Sequence, residues 1–381
     1  MNHGEELKKE YLELQRRGKE LKRRYEKHKA NEEKLIGQYE QGLKNLNTIL
    51  AETERVIALF GRAKQVLDDL DAEFEKRTEL DALDMKFLFL AVALQCARQY
   101  ILANDKFRLT SREGDVLAKK IVPKYWREVL LASVPYDAVQ KKDPDEDTGL
   151  GGSTHRYRTL GHDPILGWVF GPLNILSDSL TKTDVKTSYS VRNMKICGRI
   201  ATTTVFSKGL EQIQSDKYLL PTAVVRQAIH FGSDYFTKQG LPLPFISSID
   251  NDLSKKIITQ CNIDMFSVTR GALLATLINA LIACIHQLFY DKKEHGTRRL
   301  YEVKTRKIIR NSNFIATTSN VIKVAVSCCL GDLSALKQFD VGGFLVTLYR
   351  LFSDTRFIGQ VKREYIIESF NDMIRGEEYD F

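Results

Sequence analysis

The stretch LKNLNTILAETERVIALFGRAKQVLDDLDAEF, residues 43–74, decides the fold class of this chain. Its seam residues recur at alternating steps of four and three, at Leu46, Ile49, Thr53, Val56, Phe60, Ala63, Leu67, Leu70 and Phe74. This period of 3.5 residues keeps one helical seam facing a partner helix, as in a coiled coil. The segment is therefore predicted to form a long helix or helical hairpin.

The same spacing extends back from residue 43 to Leu7, so the whole of 5–78 follows one pattern. The seam is weaker in this first half, because it contains Gly18, His28 and Glu32. No proline precedes Pro123, so nothing in the sequence breaks the helix before that residue. We expect residues 1–80 to form a coiled-coil segment that makes the protein a homo-oligomer. The alternative is an exposed helix pair folded back on its own domain.

The remainder, 81–381, is predicted to be a multi-helix domain, which makes the fold class all-α. The most apolar helices are expected near 163–176, 271–290 and 341–352. Residues 178–193 are polar and are expected to be exposed. The weakest point of the all-α prediction is 196–206, whose threonine and valine content also suits a strand.

The stretch 271–290 contains no Asp, Glu, Lys or Arg, and a basic run follows it. Twenty such residues could span a bilayer. A buried core helix is the favoured interpretation, because Thr276, Asn279, His286 and Gln287 reduce its apolarity. A helix that lies on the membrane or inserts conditionally is the alternative.

Composition points to an intracellular protein with anionic partners. The formal net charge is +8, which suits a phosphate ester, a nucleotide, single-stranded nucleic acid or lipid headgroups. The six cysteines show no C-x-x-C spacing and are expected to be buried free thiols in a reducing compartment. The charged N-terminus does not fit a secretory signal. We expect a bacterial protein in the cytoplasm, peripheral to or inserted in the inner membrane.

Two segments concentrate metal-ligand residue types. The first is PDEDTGLGGSTHRYRTLGHDP, residues 144–164, and the second is HFGSDYFTKQGLPLPF, residues 230–245. Imidazole with carboxylate is the ligand set that suits Zn, Mn or Fe. The predicted cofactor is a divalent metal, Zn or Mn, and its predicted ligands are Asp145, Asp147, His155, His162 and His230. The alternative for the cluster is a buried hydrogen-bonded network.

Two further carboxylates are candidates for the general base, Asp163 and Asp234. Asp163 directly precedes Pro164 at a helix start, where capping is the alternative role. Asp234 lies four residues after His230, so both side chains share one helix face. The basic residues around the cluster are candidate anion contacts, namely Arg156, Arg158, Lys182, Lys186, Arg192 and Lys195. The alternative for the last four is a solvated basic face.

The order of these motifs resembles the LexA-regulated inner-membrane metal-dependent hydrolases. The matching residues are Asp145, Asp147, His155, Arg156, His162, His230, Asp234, Thr237 and Gly240. His155 and His162 are seven residues apart where that family has five, and Asp163 replaces a serine. The resemblance covers about 100 residues and implies a metal-dependent hydrolase that acts at a membrane, on a phosphoester or lipid-type substrate.

A second interpretation is not enzymatic. A basic coiled-coil oligomer with apolar helices is similar in layout to the effectors of bacterial anti-phage defence. In that case a nucleotide or nucleic-acid signal would gate a membrane-perturbing assembly. The sequence contains no Walker A motif, no G-x-G-x-x-G, no G-x-S-x-G and no H-E-x-x-H. These absences argue against an NTPase, a dinucleotide enzyme and a serine hydrolase.

Overall fold

The computed structural model describes residues 3–101, 111–139, 148–237 and 240–376. Across these ranges the chain is almost wholly helical, so the all-α prediction is confirmed, with one small sheet added. The chain divides into two compact units. The first contains the residues up to Arg77 and those from Lys362 onward, and the second contains Thr78–Val361. The first unit thus also includes the end of the chain, which the division at residue 80 had given to the second domain.

The first unit pairs the N-terminal helices with the end of the last helix. It contains α1 (His3–Gly61), α2 (Ala63–Arg77) and the part of α14 (Val341–Arg375) that follows Val361. Phe74 is fully buried, and its ring centroid lies 5.7 Å from that of Tyr365. The Lys362 ammonium lies 2.7 Å from Asp71. The apolar seam predicted after residue 43 is thus partly filled by a helix of the same chain.

The first half of α1 is different, because residues 4–54 are exposed throughout. Leu14, Leu21 and Leu35 each retain about two thirds of their surface, at 66%, 66% and 65%. Within the part of the chain that the structure describes, nothing covers the seam of this half. An isolated helix of this kind gains little stability from its own sequence.

The second unit carries the remaining helices. Its early helices are α3 (Ala82–Tyr100), α4 (Ser111–Ile121), α5 (Arg127–Leu130) and α6 (Gly167–Leu176). Next come α7 (Thr202–Ser215), α8 (Leu219–Tyr235), α9 (Ile246–Ile249) and α10 (Asn251–Cys261). The last are α11 (Met265–Gln287), α12 (Lys292–His295), α13 (Arg298–Cys329) and α14 as far as Val361. Short 3-10 turns occur at Lys124–Trp126, Pro135–Val139, Gly152–Tyr157, Leu160–His162 and Leu333–Gln338.

Three antiparallel strands follow α6: β1 (Ser179–Thr181), β2 (Thr187–Arg192) and β3 (Lys195–Ala201). The strand suspected in 196–206 is therefore real as far as Ala201, and helix α7 begins at the next residue. The expectation that 178–193 is exposed was wrong, because Ser179, Thr181 and Ser188 are fully buried. Their hydroxyls form hydrogen bonds with one another and with Asn174 of α6, which satisfies polar groups that burial would otherwise leave unpaired.

Helix α11 lies in the core of the second unit but buries only one face. The buried face carries Gly271, Ala275, Asn279, Ile282 and His286, at helical spacing. The opposite face carries leucines that remain more than half exposed, Leu273, Leu277 and Leu281. Among the described helices, α11 is long and apolar enough to cross a membrane by length and composition.

The core of this unit contains a buried ion network between α3, α11 and α13. Asp84 accepts hydrogen bonds from His286 Nε2 at 2.7 Å and from the Lys304 ammonium at 3.0 Å. His286 stacks on Tyr301 with ring centroids 4.6 Å apart. Asp84 also accepts the backbone N–H of Asp81 and closes a capping box at the start of α3. The network thereby ties the beginning of one helix to two others.

Candidate metal centre

The three histidines predicted to bind metal lie together, and two carboxylates complete the cluster. His155 Nε2 and His162 Nε2 each lie 3.3 Å from Asp137 Oδ1. His162 Nε2 lies 3.6 Å from Asp234 Oδ2, and His230 Nε2 lies 3.1 Å from the same oxygen. His230 Nδ1 lies 3.7 Å from Asp137 Oδ2. These side chains form two triads that share His162.

Three short turns and one helix position the ligands. Asp137 lies in the turn Pro135–Val139, His155 in Gly152–Tyr157 and His162 in Leu160–His162. His230 and Asp234 lie one helical turn apart on α8, as their spacing predicted. The turns can sit side by side because the glycine at 161 has no side chain, and a Cβ there would meet the ring of Tyr136.

A buried brace holds the turns against α8. The hydroxyl of Tyr136 donates to the side-chain carbonyl of Gln227 on α8. The amide group of Gln227 in turn donates to the backbone carbonyl of Gly161 at 2.7 Å. The ring of Tyr136 lies edge-on to His162 and His230, with centroids 4.9 and 5.3 Å away. Both imidazoles are therefore confined in orientation by packing.

Polar contacts orient two of the cluster side chains. His162 Nδ1 lies 2.6 Å from the hydroxyl of Thr159, which directs Nε2 into the cluster. The guanidinium of Arg156 donates to Asp234 Oδ1 at 2.5 Å. The same group donates to the hydroxyl of Thr237 and to the carbonyl of Gly240, so that Oδ2 of Asp234 is left facing His162 and His230. Contacts of this kind fix the direction of metal ligands in known sites.

The inner atoms of the cluster are buried and unsatisfied. Among the described residues, no hydrogen-bond partner is found for Asp137 Oδ1, His162 Nε2, His230 Nε2 or Asp234 Oδ2. Buried polar atoms are normally paired, so four orphans on adjoining side chains need an explanation. Ligands about 2.1 Å from one ion lie roughly 3.4 Å apart at tetrahedral angles and about 3.0 Å apart at right angles. The separations of 3.1 to 3.6 Å between neighbouring orphaned atoms fit that arrangement.

Electrostatics favours a cation between the two carboxylates. Burial acts to lower the pKa of His230, but the charges of Asp234 and Asp137 outweigh it and raise that pKa to about 9. Burial also works against the ionised form of Asp137, yet the charge of His230 and the nearby imidazoles of His155 and His162 hold the pKa of Asp137 well below its usual value. Burial lowers the pKa of His162 to about 4, which keeps that ring neutral and able to coordinate. An imidazolium and a metal ion would therefore compete for the same position.

One side of the cluster opens to a cleft of about 320 Å³. Asp137, His230 and Asp234 line its inner end, whereas His155 and His162 are buried behind them. Arg226 and Lys119 also line the cleft and give it positive charge. A small anionic molecule in this cleft could therefore reach the cluster directly.

The other predicted site residues fall outside this arrangement. Asp145 and Asp147 lie outside the described residues. Asp163 is buried, and its two oxygens accept the backbone N–H groups of Ile165, Leu166 and Phe245. The geometry of Asp163 thus favours capping over the role of general base, while Asp234 lies within the cluster.

The six candidate anion contacts do not form one patch. Arg156 is buried and engaged with Asp234. Arg158 donates to the carbonyl of Gly149, and the Lys182 ammonium lies 3.3 Å from the carbonyl of Thr148. The other three are exposed, at Lys186, Arg192 and Lys195. Lys182 and Lys186 adjoin the start of β2, and Arg192 and Lys195 adjoin its end, about 17 Å away at roughly 3.4 Å per residue.

Asp137 was missed in the sequence, although it contacts three histidines. It is the only charged residue in the apolar stretch VPYDAV and lies eight residues before Asp145, the first carboxylate of the segment 144–164. A charged residue in such surroundings is rarely buried without a partner, and this was the available signal. Comparison of the chain with known proteins gives no match to a family model, to a curated protein or to a solved structure.

Proposed function

We propose that the protein is a metal-dependent hydrolase whose centre is the cluster of Asp137, His155, His162, His230 and Asp234. The observation that carries the proposal is the set of four orphaned ligand atoms, Asp137 Oδ1, His162 Nε2, His230 Nε2 and Asp234 Oδ2, whose neighbouring pairs lie 3.1 to 3.6 Å apart. Three imidazoles with carboxylates and one open side are the arrangement of catalytic rather than structural zinc or manganese sites. The open side is the cleft.

In this proposal the metal ion and the surrounding side chains would have separate roles in hydrolysis. A bound divalent ion supplies a water of lowered pKa and neutralises charge that develops on the substrate. In this division the ion would be held by Asp137 and the three histidines. Asp234, which lines the cleft and whose Oδ1 is held by Arg156, would accept a proton from that water through Oδ2. Arg226 and Lys119 would attract and orient an anionic group such as a phosphoester.

The motif resemblance to LexA-regulated inner-membrane hydrolases supports this proposal in one respect. Arg156 of the first motif contacts Asp234, Thr237 and Gly240 of the second. Residues of the two motifs thus act as one structural unit in this fold. Action at a membrane is part of the same proposal, and the exposed leucines of α11 are compatible with it.

Metal content and hydrolysis should be measured on the same preparation of the full-length protein. After incubation with Zn²⁺ or Mn²⁺ and removal of free ions, elemental analysis should find at least about one ion per chain. The loaded protein should hydrolyse bis(p-nitrophenyl) phosphate, and a chelator should abolish the activity until metal is added back. A protein that retains no ion under these conditions would exclude the proposal.

Self-association through α1 is a second proposal, which the oligomeric effector hypothesis also requires. It is favoured by the exposed seam of residues 4–54, since burying such a seam against a second copy would stabilise the helix. The same apolar seam has no other partner in the described ranges. The effector hypothesis further needs a membrane activity, for which the leucine face of α11 is the candidate.

The double variant Leu14→Lys, Leu35→Lys should lower the mass of the assembly measured by light scattering. The reason is that two charges in the seam oppose its burial. The matched control is Ala30→Lys, Gln41→Lys, which adds the same charge to the exposed helix away from the seam and should leave the mass unchanged. If the wild-type protein is a monomer, or if both variants keep its mass, the seam does not mediate association.

A further inference from the structure

An apolar groove lies between α4 and α8, next to the metal cluster. Its volume is about 270 Å³. Its lining is almost wholly apolar and consists of Leu117, Ala118, Ile121, Val122, Val225, Ala228, Ile229, Gly232, Ser233 and Phe236. Several of these side chains are exposed for their type, with Ile121 at 72% and Val225 at 44%. Within the described residues the groove is uncovered.

The groove is continuous with the cleft of the metal cluster. Ala118, Ile229 and Ser233 line both. On α8, Ile229 and Ser233 are one helical turn apart, and each directly precedes a cluster residue, His230 and Asp234. Two adjacent rows of side chains on α8 therefore contribute to the cluster, through His230 and Asp234, and to the lining of the groove, through Ile229 and Ser233. A molecule that reaches the cluster can extend along α8 into the groove.

The two cavities differ in polarity. The cleft contains the positive side chains of Lys119 and Arg226 in addition to the cluster. Two nitrogens of Arg226 differ in their hydrogen bonding. Nη2 donates to the backbone carbonyls of Ala132 and Ser133, whereas Nε is buried with no partner among the residues described. An unpaired buried donor on a residue that lines the cleft suits an acceptor on a ligand. The groove, by contrast, offers almost only contacts with apolar atoms.

We propose that the substrate is an anionic amphiphile: a phosphoester headgroup at the metal cluster with one linear apolar chain along the groove between α4 and α8. This proposal rests on the proposed hydrolase function for the identity of the headgroup. The continuity of the two cavities and their opposite polarity select this occupant, because a single molecule with a charged end and an apolar end satisfies both. Each methylene buried in such a groove adds to affinity.

Binding of n-alkyl phosphonates tests the proposal without relying on turnover. Chains of two to ten carbons, kept below the concentrations at which they form micelles, are titrated into the full-length protein by calorimetry. The expected result is a Kd that tightens by about two- to fourfold per added CH₂ until the groove is filled. A series of n-alkyl trimethylammonium ions should bind more weakly at every chain length, since the cleft is positive. A Kd that does not change with chain length, or equal binding of both headgroups, would overturn the inference.

A variant that fills the groove should remove the dependence on chain length. Gly232 lines the groove, and a Cβ built on it meets no atom within 4 Å, so Gly232→Leu adds bulk there from an unobstructed Cβ position. The matched control is Gly37→Leu, at an equally open helical position of α1 that lies off the seam. We expect the gain in affinity per CH₂ to fall towards none in the first variant and to be retained in the control. A full chain-length dependence in Gly232→Leu would show that the chain binds elsewhere.

The outcome also separates this inference from the hydrolase proposal. If the metal-free protein shows the chain-length dependence but the protein takes up no metal, the groove is correct and the hydrolase proposal fails. If the protein binds metal and hydrolyses bis(p-nitrophenyl) phosphate but shows a flat series, the hydrolase proposal holds and the amphiphile inference fails.

Discussion

Replacing Asp137 with alanine is expected to reduce both metal occupancy and hydrolysis by about a hundredfold or more. Substitutions of groups that merely orient a ligand already cost 10- to 100-fold in known sites, and Asp137 is placed as a direct ligand. One of its oxygens faces His155 and His162, and the other lies 3.7 Å from His230. Its loss removes the only contact common to all three imidazoles among the described residues. Elemental analysis and the bis(p-nitrophenyl) phosphate assay measure the two effects.

The control for this variant is Asp252→Ala, at an exposed position in the first turn of α10. It removes an aspartate of the same type and should leave metal content and activity unchanged. Circular dichroism and thermal unfolding establish that both proteins are folded. A folded Asp137→Ala protein with normal metal content would show that this carboxylate is not a ligand, and a protein with normal metal but no activity would move Asp137 to a role in proton transfer.

Replacing Asp84 with alanine is expected to lower the free energy of unfolding by about 3–5 kcal/mol, the range for breaking one partner of a buried ion pair. Asp84 is 1% exposed and is bonded to His286 and Lys304. Without the carboxylate, the ammonium of Lys304 retains only Asp81 among the described residues, and His286 Nε2 loses its partner. The midpoint of urea unfolding measures the change, with the exposed Glu79→Ala as the control.

The stabilisation by Asp84 should also depend on pH. Burial opposes its ionised form, but His286, the backbone N–H of Asp81 and Lys304 outweigh this and hold the pKa of Asp84 below its usual value of 3.8. A group with a lowered pKa stabilises the folded state above its unfolded pKa and loses that effect as the pH falls. The difference in stability between the wild-type protein and Asp84→Ala should thus be constant above about pH 5 and shrink below 3.8. A difference that stays the same at low pH would contradict this account.

The sequence predicted the helices well because helical periodicity is a local property. The 4-3 spacing from Leu46 to Phe74 identified the long helices, but it could not tell which partner fills the seam. Within the described chain, Tyr365 fills part of it, nearly 300 residues away in sequence. The prediction that the hydroxyl residues of β1 and β2 are exposed was wrong for a similar reason, because their hydrogen-bond partners are not evident from local spacing. A serine such as Ser179 is expected at the surface unless its tertiary partner, here Asn174, is known.

The candidate site was predictable only where its residue types were concentrated. His155, His162 and His230 were found because histidine is rare in this chain, with seven in total, and these three lie within 76 residues. Asp137 and the floor of the groove, by contrast, depend on how α8 packs against α4 and the turn at Pro135–Val139. No spacing rule in the sequence encodes that packing.

The hydroxyl of Thr159 determines which tautomer His162 adopts. A hydroxyl has one proton, and when that of Thr159 is donated to the backbone carbonyl of His155, 3.3 Å away, none is left to donate to His162. Towards His162 it can therefore only accept, at 2.6 Å from Nδ1. The neutral ring must then carry its hydrogen on Nδ1, which leaves the lone pair of Nε2 directed at Asp137 and Asp234. Two acceptors thus face a third acceptor across a buried space, an arrangement that repels itself unless a positive charge lies between them.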